Sequence, residues 1–326
     1  MTFSWNTLKK PILGLAPMDG VTDSVFRTIV FRHSPPDIMF TEFVSVEGLA
    51  RRIPSCLNDL KFLPDERPMI AQIYGYELES FREAVKIVAA LDFDGVDINM
   101  GCPAKSVVHS GGGAALIKAC PHAKEILKAC GESLNQIYEA TGKRLPLSVK
   151  TRLGYDKPII KDWVGQLLDR PEISNISLHG RTLKQGYSGE ADWEAIAQAA
   201  ELAKGSGKTI LGNGDIQTLD QAFKRIRESS VDGVLVGRAT YGNPWWFKKK
   251  EGEISLELRA QTLLEHARLL WERRSEKDFI QIRKHAGWYM KGFHGAADMR
   301  NKLVRVNRLE ELEEILKKIL PNTNIL

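Results

Sequence analysis

The segment Asn99-Met100-Gly101-Cys102-Pro103 holds a thiol at a place where it could move a proton. It follows a short apolar run of strand character, so Cys102 falls just past a strand end, where a cysteine can serve as a general acid if it stays protonated until the transition state. The other cysteines read differently. Cys120 and Cys130 lie in helical context and Cys56 in no special one, so each is read as a small apolar side chain. There is no C-x-x-C pair and no metal-ligand spacing with the seven histidines, and neither zinc nor a disulfide framework is expected.

Lys150, in Ser148-Val149-Lys150-Thr151-Arg152, is the second such group. An ammonium that faces the inside of a fold is costly unless an anion compensates it. The anionic N1–O2 edge of a reduced flavin would do so, and so would a structural ion pair with Glu42 or Asp97. Gln72 offers a donor and an acceptor suited to the amide-like edge of a flavin ring. Gly212-Asn213-Gly214-Asp215 and Gly237-Arg238 place glycine backbone and a cation where an anion can approach closely, which implies a phosphorylated cofactor. The run Ser110 to Ala115, with three successive glycines, lacks the Gly-Lys-Ser/Thr ending of a phosphate loop and is read as a mobile loop over the site.

These groups sit at the ends of eight apolar, often β-branched runs: Ile12 to Pro17, Ile38 to Phe43, Met69 to Tyr74, Gly95 to Met100, Leu147 to Arg152, Asn175 to Gly180, Thr209 to Gly214 and Gly233 to Arg238. Stretches of helical spacing separate most of them, such as Phe81, Val85, Val88 and Ala89. Strand then helix, eight times, predicts an α/β fold, a (β/α)8 TIM barrel. A doubly wound sheet would carry a G-x-G-x-x-G turn after its first strand, where this chain has Ala16-Pro17-Met18-Asp19-Gly20. In a barrel the C-terminal strand ends form the functional face, and the loops after the last two strands are the usual phosphate site.

With 326 residues, 43% of them apolar, the chain can bury a large core. No apolar run reaches the roughly 20 residues of a membrane span and no signal peptide is evident, so a cytoplasmic protein away from membranes is expected. The net charge of +5 lies wholly in the C-terminal part: Lys248 to Leu326 holds 17 Lys and Arg against 12 Asp and Glu. After Trp246 the strand rhythm stops, and Leu256 to Arg274, Lys277 to Lys291 and Arg308 to Leu320 read as amphipathic helix. The expected division is a catalytic barrel, residues 1–247, and a small basic helical domain, residues 248–326.

Taken in order, Leu15-Ala16-Pro17-Met18 with Val21-Thr22, Thr41-Glu42, Ala71-Gln72, Asn99 to Pro103, Val149 to Arg152, His179-Gly180-Arg181-Thr182, Gly212 to Asp215 and Val236-Gly237-Arg238 resemble the dihydrouridine synthases of bacterial type. Arg283-Lys284-His285, Tyr289 and Gly292 extend the resemblance more weakly. It implies FMN held by Pro17, Met18, Asp19, Gln72, Lys150, His179, Asn213, Gly214, Asp215, Gly237 and Arg238. It also implies NADPH as reductant, hydride transfer to C6 of a tRNA uridine, and protonation of C5 by Cys102. Asn99 and Arg152 would contact the substrate. Lys284, Arg300 and Arg305, interleaved with Trp288, Tyr289 and Phe293, suit phosphate contacts and base stacking on tRNA. No metal is implied, and a monomer is expected. The rival reading is an FMN-dependent barrel reductase of a small molecule, of dihydroorotate dehydrogenase or ene-reductase type.

Overall fold

The computed structural model describes residues 3–248, 254–274 and 276–320; residues 249–253, 275 and 321–326 of the expected helical segment lie outside the described residues. The chain divides into two compact units, Met1–Ser24 with Pro36–Gly237, and Val25–Pro35 with Arg238–Leu326. The boundary at 237/238 falls before the one expected at 247/248, and the second unit also takes in a segment from the early part of the chain.

The first unit is built on strands β1 (Ile12–Leu15), β2 (Met39–Phe40), β3 (Val44–Ser45), β4 (Met69–Tyr74), β5 (Gly95–Met100), β6 (Leu147–Arg152), β7 (Ile173–His179), β8 (Thr209–Asn213) and β9 (Gly233–Val236). All pair in parallel in the order β1-β9-β8-β7-β6-β5-β4-β2. β3 also pairs with β4, so β2 and β3 are two pieces of one strand position, and the run Ile38 to Phe43 is shorter as a strand than the sequence suggests. A bridge from Gly14 to Ile38 brings the two ends of the sheet together. The result is a nearly closed (β/α)8 barrel.

Side chains along a strand alternate between its two faces. In β5 and β6 the alternation is Val96, Ile98 and Val149 on one face and Asp97, Asn99, Ser148 and Lys150 on the other. The apolar face meets the surrounding helices, such as Leu78–Ala90 with buried Phe81, Val85 and Val88. The interior is therefore polar on this side. Elsewhere it is apolar, and Ile12, Ile38, Phe40, Ile70, Leu211 and Leu235 pack in one cluster with Trp5.

Closure depends on glycine at the seam. A Cβ on Gly14 would lie 2.6 Å from Leu235 Cδ2 and 2.8 Å from Ile38 Cγ2, and one on Gly233 would lie 2.1 Å from the Ile12 carbonyl oxygen. Only the absence of a side chain lets β1 approach β9 this closely.

The second unit is helical: Leu256–Arg273, Ile282–Tyr289, Ala296–Leu303 and Leu309–Leu316. Ser255 caps the first of these by accepting from Leu258 N. The residues Ala260, Leu263, Leu264, Ala267 and Leu270 recur at helical spacing and form a core with Ile282, Ala286, Tyr289, Leu303, Leu312 and Leu316. Val25 and Ile29, from helix Ser24–His33, complete that core. His33 fixes the same helix: its Nδ1 accepts from Trp245 Nε1 (3.2 Å), so its Nε2–H donates to Glu265 (2.9 Å). Among the described residues no helix is long and apolar enough to cross a membrane.

The seam gives a test with two signs. Gly233→Ala forces a Cβ against backbone and should cost about 2 kcal/mol or more. Gly165→Ala, in the interior of helix Ile160–Leu168 where a Cβ meets nothing within 4 Å, should stabilise by about 0.5–1 kcal/mol. Thermal unfolding midpoints that move the same way in both variants would contradict the closure argument.

Candidate active site

Along β4, β5 and β6 the inward polar residues are joined by hydrogen bonds, in a chain that runs from the middle of the strands to the C-terminal end of β5. The Asp97 carboxylate, fully buried, accepts from Ser148 Oγ (2.6 Å) and from Gln72 Nε2 (2.7 Å). Gln72 is held in turn from the backbone, its N–H donating to Thr41 Oγ1 (3.0 Å). Its Oε1 accepts from Asn99 Nδ2 (3.0 Å), and Asn99 Oδ1 accepts from the backbone N–H groups of Gly101 (3.0 Å) and Cys102 (2.8 Å). Burial pushes the Asp97 carboxyl up to about 6, against the hydrogen bonds from Ser148 and Gln72 and the charge of Lys150, and the two donors aimed at its oxygens favour the ionised form.

The side chain of Lys150, beside Asn99 in register, makes no hydrogen bond or ion pair among the described residues. Burial, with Arg152 adding to it, brings its ammonium down to about 8, and Asp97 and Cys102 oppose the shift. The residue keeps some exposed surface although its charged group is deeply enclosed. Of the two structural partners open on sequence grounds, neither Glu42 nor Asp97 forms an ion pair with it.

Cys102 is held from several sides. Its N–H goes to Asn99, and its carbonyl accepts from Ala114 N (3.1 Å). Arg152 Nε donates to the adjacent Gly101 carbonyl (2.7 Å). A Cβ on Gly113 would lie 2.8 Å from the Cys102 carbonyl, and one on Gly111 would lie 2.5 Å from the Tyr76 ring. The glycine run read as a mobile loop thus packs as a buttress between Tyr76 and Cys102, with Gly112, Gly113 and Ala114 buried. Burial raises the Cys102 thiol above its ordinary value and the Asp19 carboxylate adds to this, while the Ala104 backbone, Arg152 and Lys150 pull the other way. The net shift upward keeps the sulfur protonated at neutral pH.

The remaining predicted residues fall into three groups. Pro17, Met18 and Asp19 lie after β1 in a turn closed by Val21 N and Thr22 N donating to the Met18 carbonyl. Met18 Sδ would lie 3.0 Å from a Cβ on Gly237, so these two strand-end loops touch through a glycine. His179 ends β7 beside Gly214, whose φ of +136° favours glycine.

A second group is committed to the protein itself. Asn213 Nδ2 donates to the Leu235 carbonyl (2.8 Å). Asp215 accepts from both Arg181 nitrogens (3.1 and 2.6 Å) and from Ala191 N (2.7 Å), so its carboxylate anchors the loop after β7. Arg152, 3% exposed, also donates through Nη1 to the Thr182 carbonyl (3.1 Å) and ties that loop to the Cys102 loop. Gln72, read as a direct cofactor contact, has no exposed surface and links Asp97 to Asn99.

The third group belongs to the second unit. Arg238 is its exposed first residue after the barrel. Arg300 Nη1 donates to the Met290 carbonyl (2.9 Å), whereas Arg305 is exposed. Tyr289 is a core residue, 1% exposed, and is not available for stacking on a base; Trp288 is half-buried and stacks on Tyr241 with ring centroids 4.0 Å apart. Sequence reasoning gave no role to Ser148, Thr41 or Arg181. Period-two polarity within β5 and β6 was the available signal for the first.

The donor set fits a flavin phosphate and ring: an ammonium with no direct ion pair among the described residues, glycines after β8 and β9, and amide groups on the strands. Among the described residues no group of His, Cys, Asp and Glu could hold a metal ion.

Comparison with solved structures gives a histamine dehydrogenase from Rhizobium sp. 4-9, with a TM-score of 0.52 at 14% identity over 72% of this chain. The chain spans 44% of that protein, and the likeness is one of fold. Among curated proteins, a "Probable tRNA-dihydrouridine synthase" of Staphylococcus epidermidis is 35% identical over 96% of this chain and 94% of its own length. "Probable tRNA-dihydrouridine synthase 2" of Bacillus subtilis is 34% identical over 96% and 95%. Residues 14–324 match the family described as "Dihydrouridine synthase (Dus)". The buttressed thiol at the mouth of the barrel and the unpaired lysine beside it thus stand in a chain that belongs to the dihydrouridine synthase family.

Proposed function

We propose that this chain reduces the C5–C6 double bond of uridines in tRNA, with FMN as its cofactor, NADPH as the reductant and Cys102 as the proton donor. The observation that carries the reading is a thiol kept protonated by burial in the neighbourhood of an ammonium that, among the described residues, no carboxylate meets in a direct ion pair. When bound, FMN supplies the hydride that reaches C6. The protein supplies the rest. Cys102 gives its proton to C5, so that hydride and proton together saturate the bond. Lys150 offers its charge to the anionic edge of the ring, and Gly214, Gly237 and Arg238 are assigned to the phosphate. Asn99, whose amide already holds the Cys102 backbone, is placed to meet the base edge.

A uridine in folded RNA must leave its stack before its C5–C6 bond can lie beside a buried thiol. The grip on RNA is assigned to the second unit, which carries the chain's charge surplus and the exposed Arg305 and Lys302. The named relatives match this chain across that unit as well as the barrel, which supports tRNA over a small molecule.

Three outcomes follow. Cys102→Ala should keep its FMN and its reduction by NADPH, yet lose about 100-fold or more in uridine reduction; normal turnover would remove the donor assignment. Anion binding favours the protonated form of Lys150, so FMN affinity, followed by flavin fluorescence, should fall as pH rises through about 8. The same fall in Lys150→Met would show that another group is titrating. Binding to unmodified tRNA should weaken steeply with salt, and Arg305→Ser should reduce the slope of log K against log salt by about one. A salt-insensitive, immeasurably weak interaction with tRNA would return the reading to a small-molecule reductase.

A further inference from the structure

We propose that Asp97 is a positioning residue for the proton donor: its carboxylate sets the direction of a hydrogen-bond chain that runs through Gln72 and Asn99 and ends on the backbone of Cys102. The inference rests on the reading of Cys102 given above only for its link to catalysis; the geometry stands apart from it.

An amide side chain can present either its oxygen or its NH2 to a neighbour, and two amides in series could each be turned the wrong way. Here both ends of the series are chemically one-sided. An ionised carboxylate only accepts, so Gln72 must turn Nε2 toward Asp97 (2.7 Å). That leaves Gln72 Oε1 facing Asn99, which must answer with Nδ2 (3.0 Å). Asn99 Oδ1 is then turned to the N–H donors of Gly101 (3.0 Å) and Cys102 (2.8 Å). Backbone N–H groups only donate, so the far end demands the same direction that the near end imposes.

Asp97 is itself locked. Ser148 Oγ donates to Oδ1 (2.6 Å), the residue has no exposed surface, and Gln72 lies opposite it in the β4–β5 register as Ser148 does in β5–β6. A deeply buried group therefore bears on the position of that loop through two intervening side chains, Gln72 and Asn99. The bland alternative is that Asp97 merely offers charge to Lys150, and the two roles separate under substitution.

Asp97→Asn removes the charge and keeps the direction. Its Oδ1 can accept from Gln72, and its Nδ2 can donate to Ser148 Oγ, whose hydroxyl already lies 3.3 Å from the Val96 carbonyl and can donate there. Asp97→Ala removes charge and direction together. Gln72→Met breaks the chain one link further along and leaves Asp97 in place.

The readout is the rate of Cys102 alkylation by iodoacetamide as a function of pH, followed by peptide mapping of the FMN-loaded enzyme, with Cys120 as the internal standard. A loop released from its anchor exposes a thiol that is now 8% exposed. Asp97→Ala and Gln72→Met should each alkylate Cys102 about tenfold faster, the worth of one well-placed hydrogen bond, and carry the pH profile to lower values. Asp97→Asn should stay within about twofold of the parent. If Asp97→Asn matches Asp97→Ala, charge and not direction is what Asp97 supplies, and the proposal falls. It falls as well if Gln72→Met leaves the Cys102 rate unchanged, a measurement that holds even should Asp97→Ala fail to fold. Because alkylation does not require Cys102 to be the donor, an expected alkylation pattern alongside normal turnover of Cys102→Ala would sink the donor assignment and keep the relay.

Discussion

A charge placed inside a barrel has to be surrounded by groups that can replace water, and the Asp97 carboxylate imposes that condition on everything near it. It takes Ser148 on one side and Gln72 on the other, and burial still lifts it to about 6. Among the described residues the Lys150 side chain is left without a hydrogen bond or ion pair. The barrel interior therefore divides its labour. The apolar half around Phe40, Ile70 and Leu235 supplies cohesion, and the polar half spends some of that cohesion on orientation.

Much of this was legible in the chain. Three of the eight runs, at Met69, Gly95 and Leu147, begin and end where the strands do, because parallel strands packed on helices keep a continuous apolar signal on one face. Cys102 was placed by its strand end and its flanking Gly and Pro. The dihydrouridine synthase resemblance and the family match agree.

What stayed hidden was direction. Nothing in Arg152 distinguishes a guanidinium offered to substrate from one used on the Gly101 and Thr182 carbonyls. Asp215 likewise gives no sign, within its glycine-rich loop, that Arg181 will claim it from 34 residues away. Tyr289 sits among basic residues and reads as a surface aromatic, but its helix turns it into the core. The three glycines after Ser110 suggest looseness, although here the missing side chains permit close packing against Tyr76 and Cys102. In each case the deciding partner is remote in sequence.

The helix Ser24–His33 has the apolar spacing of any barrel helix, yet Val25 and Ile29 lie in the core of the helical unit. That unit is thus a fold of two chain segments, and its first piece leaves the ribosome long before the second exists. Val25 and Ile29 then wait with an apolar face uncovered. An exchange of C-terminal helical units between members of the family would have to carry residues 25–35 along with everything after 237. A simple C-terminal swap would instead join two half-cores that evolved apart.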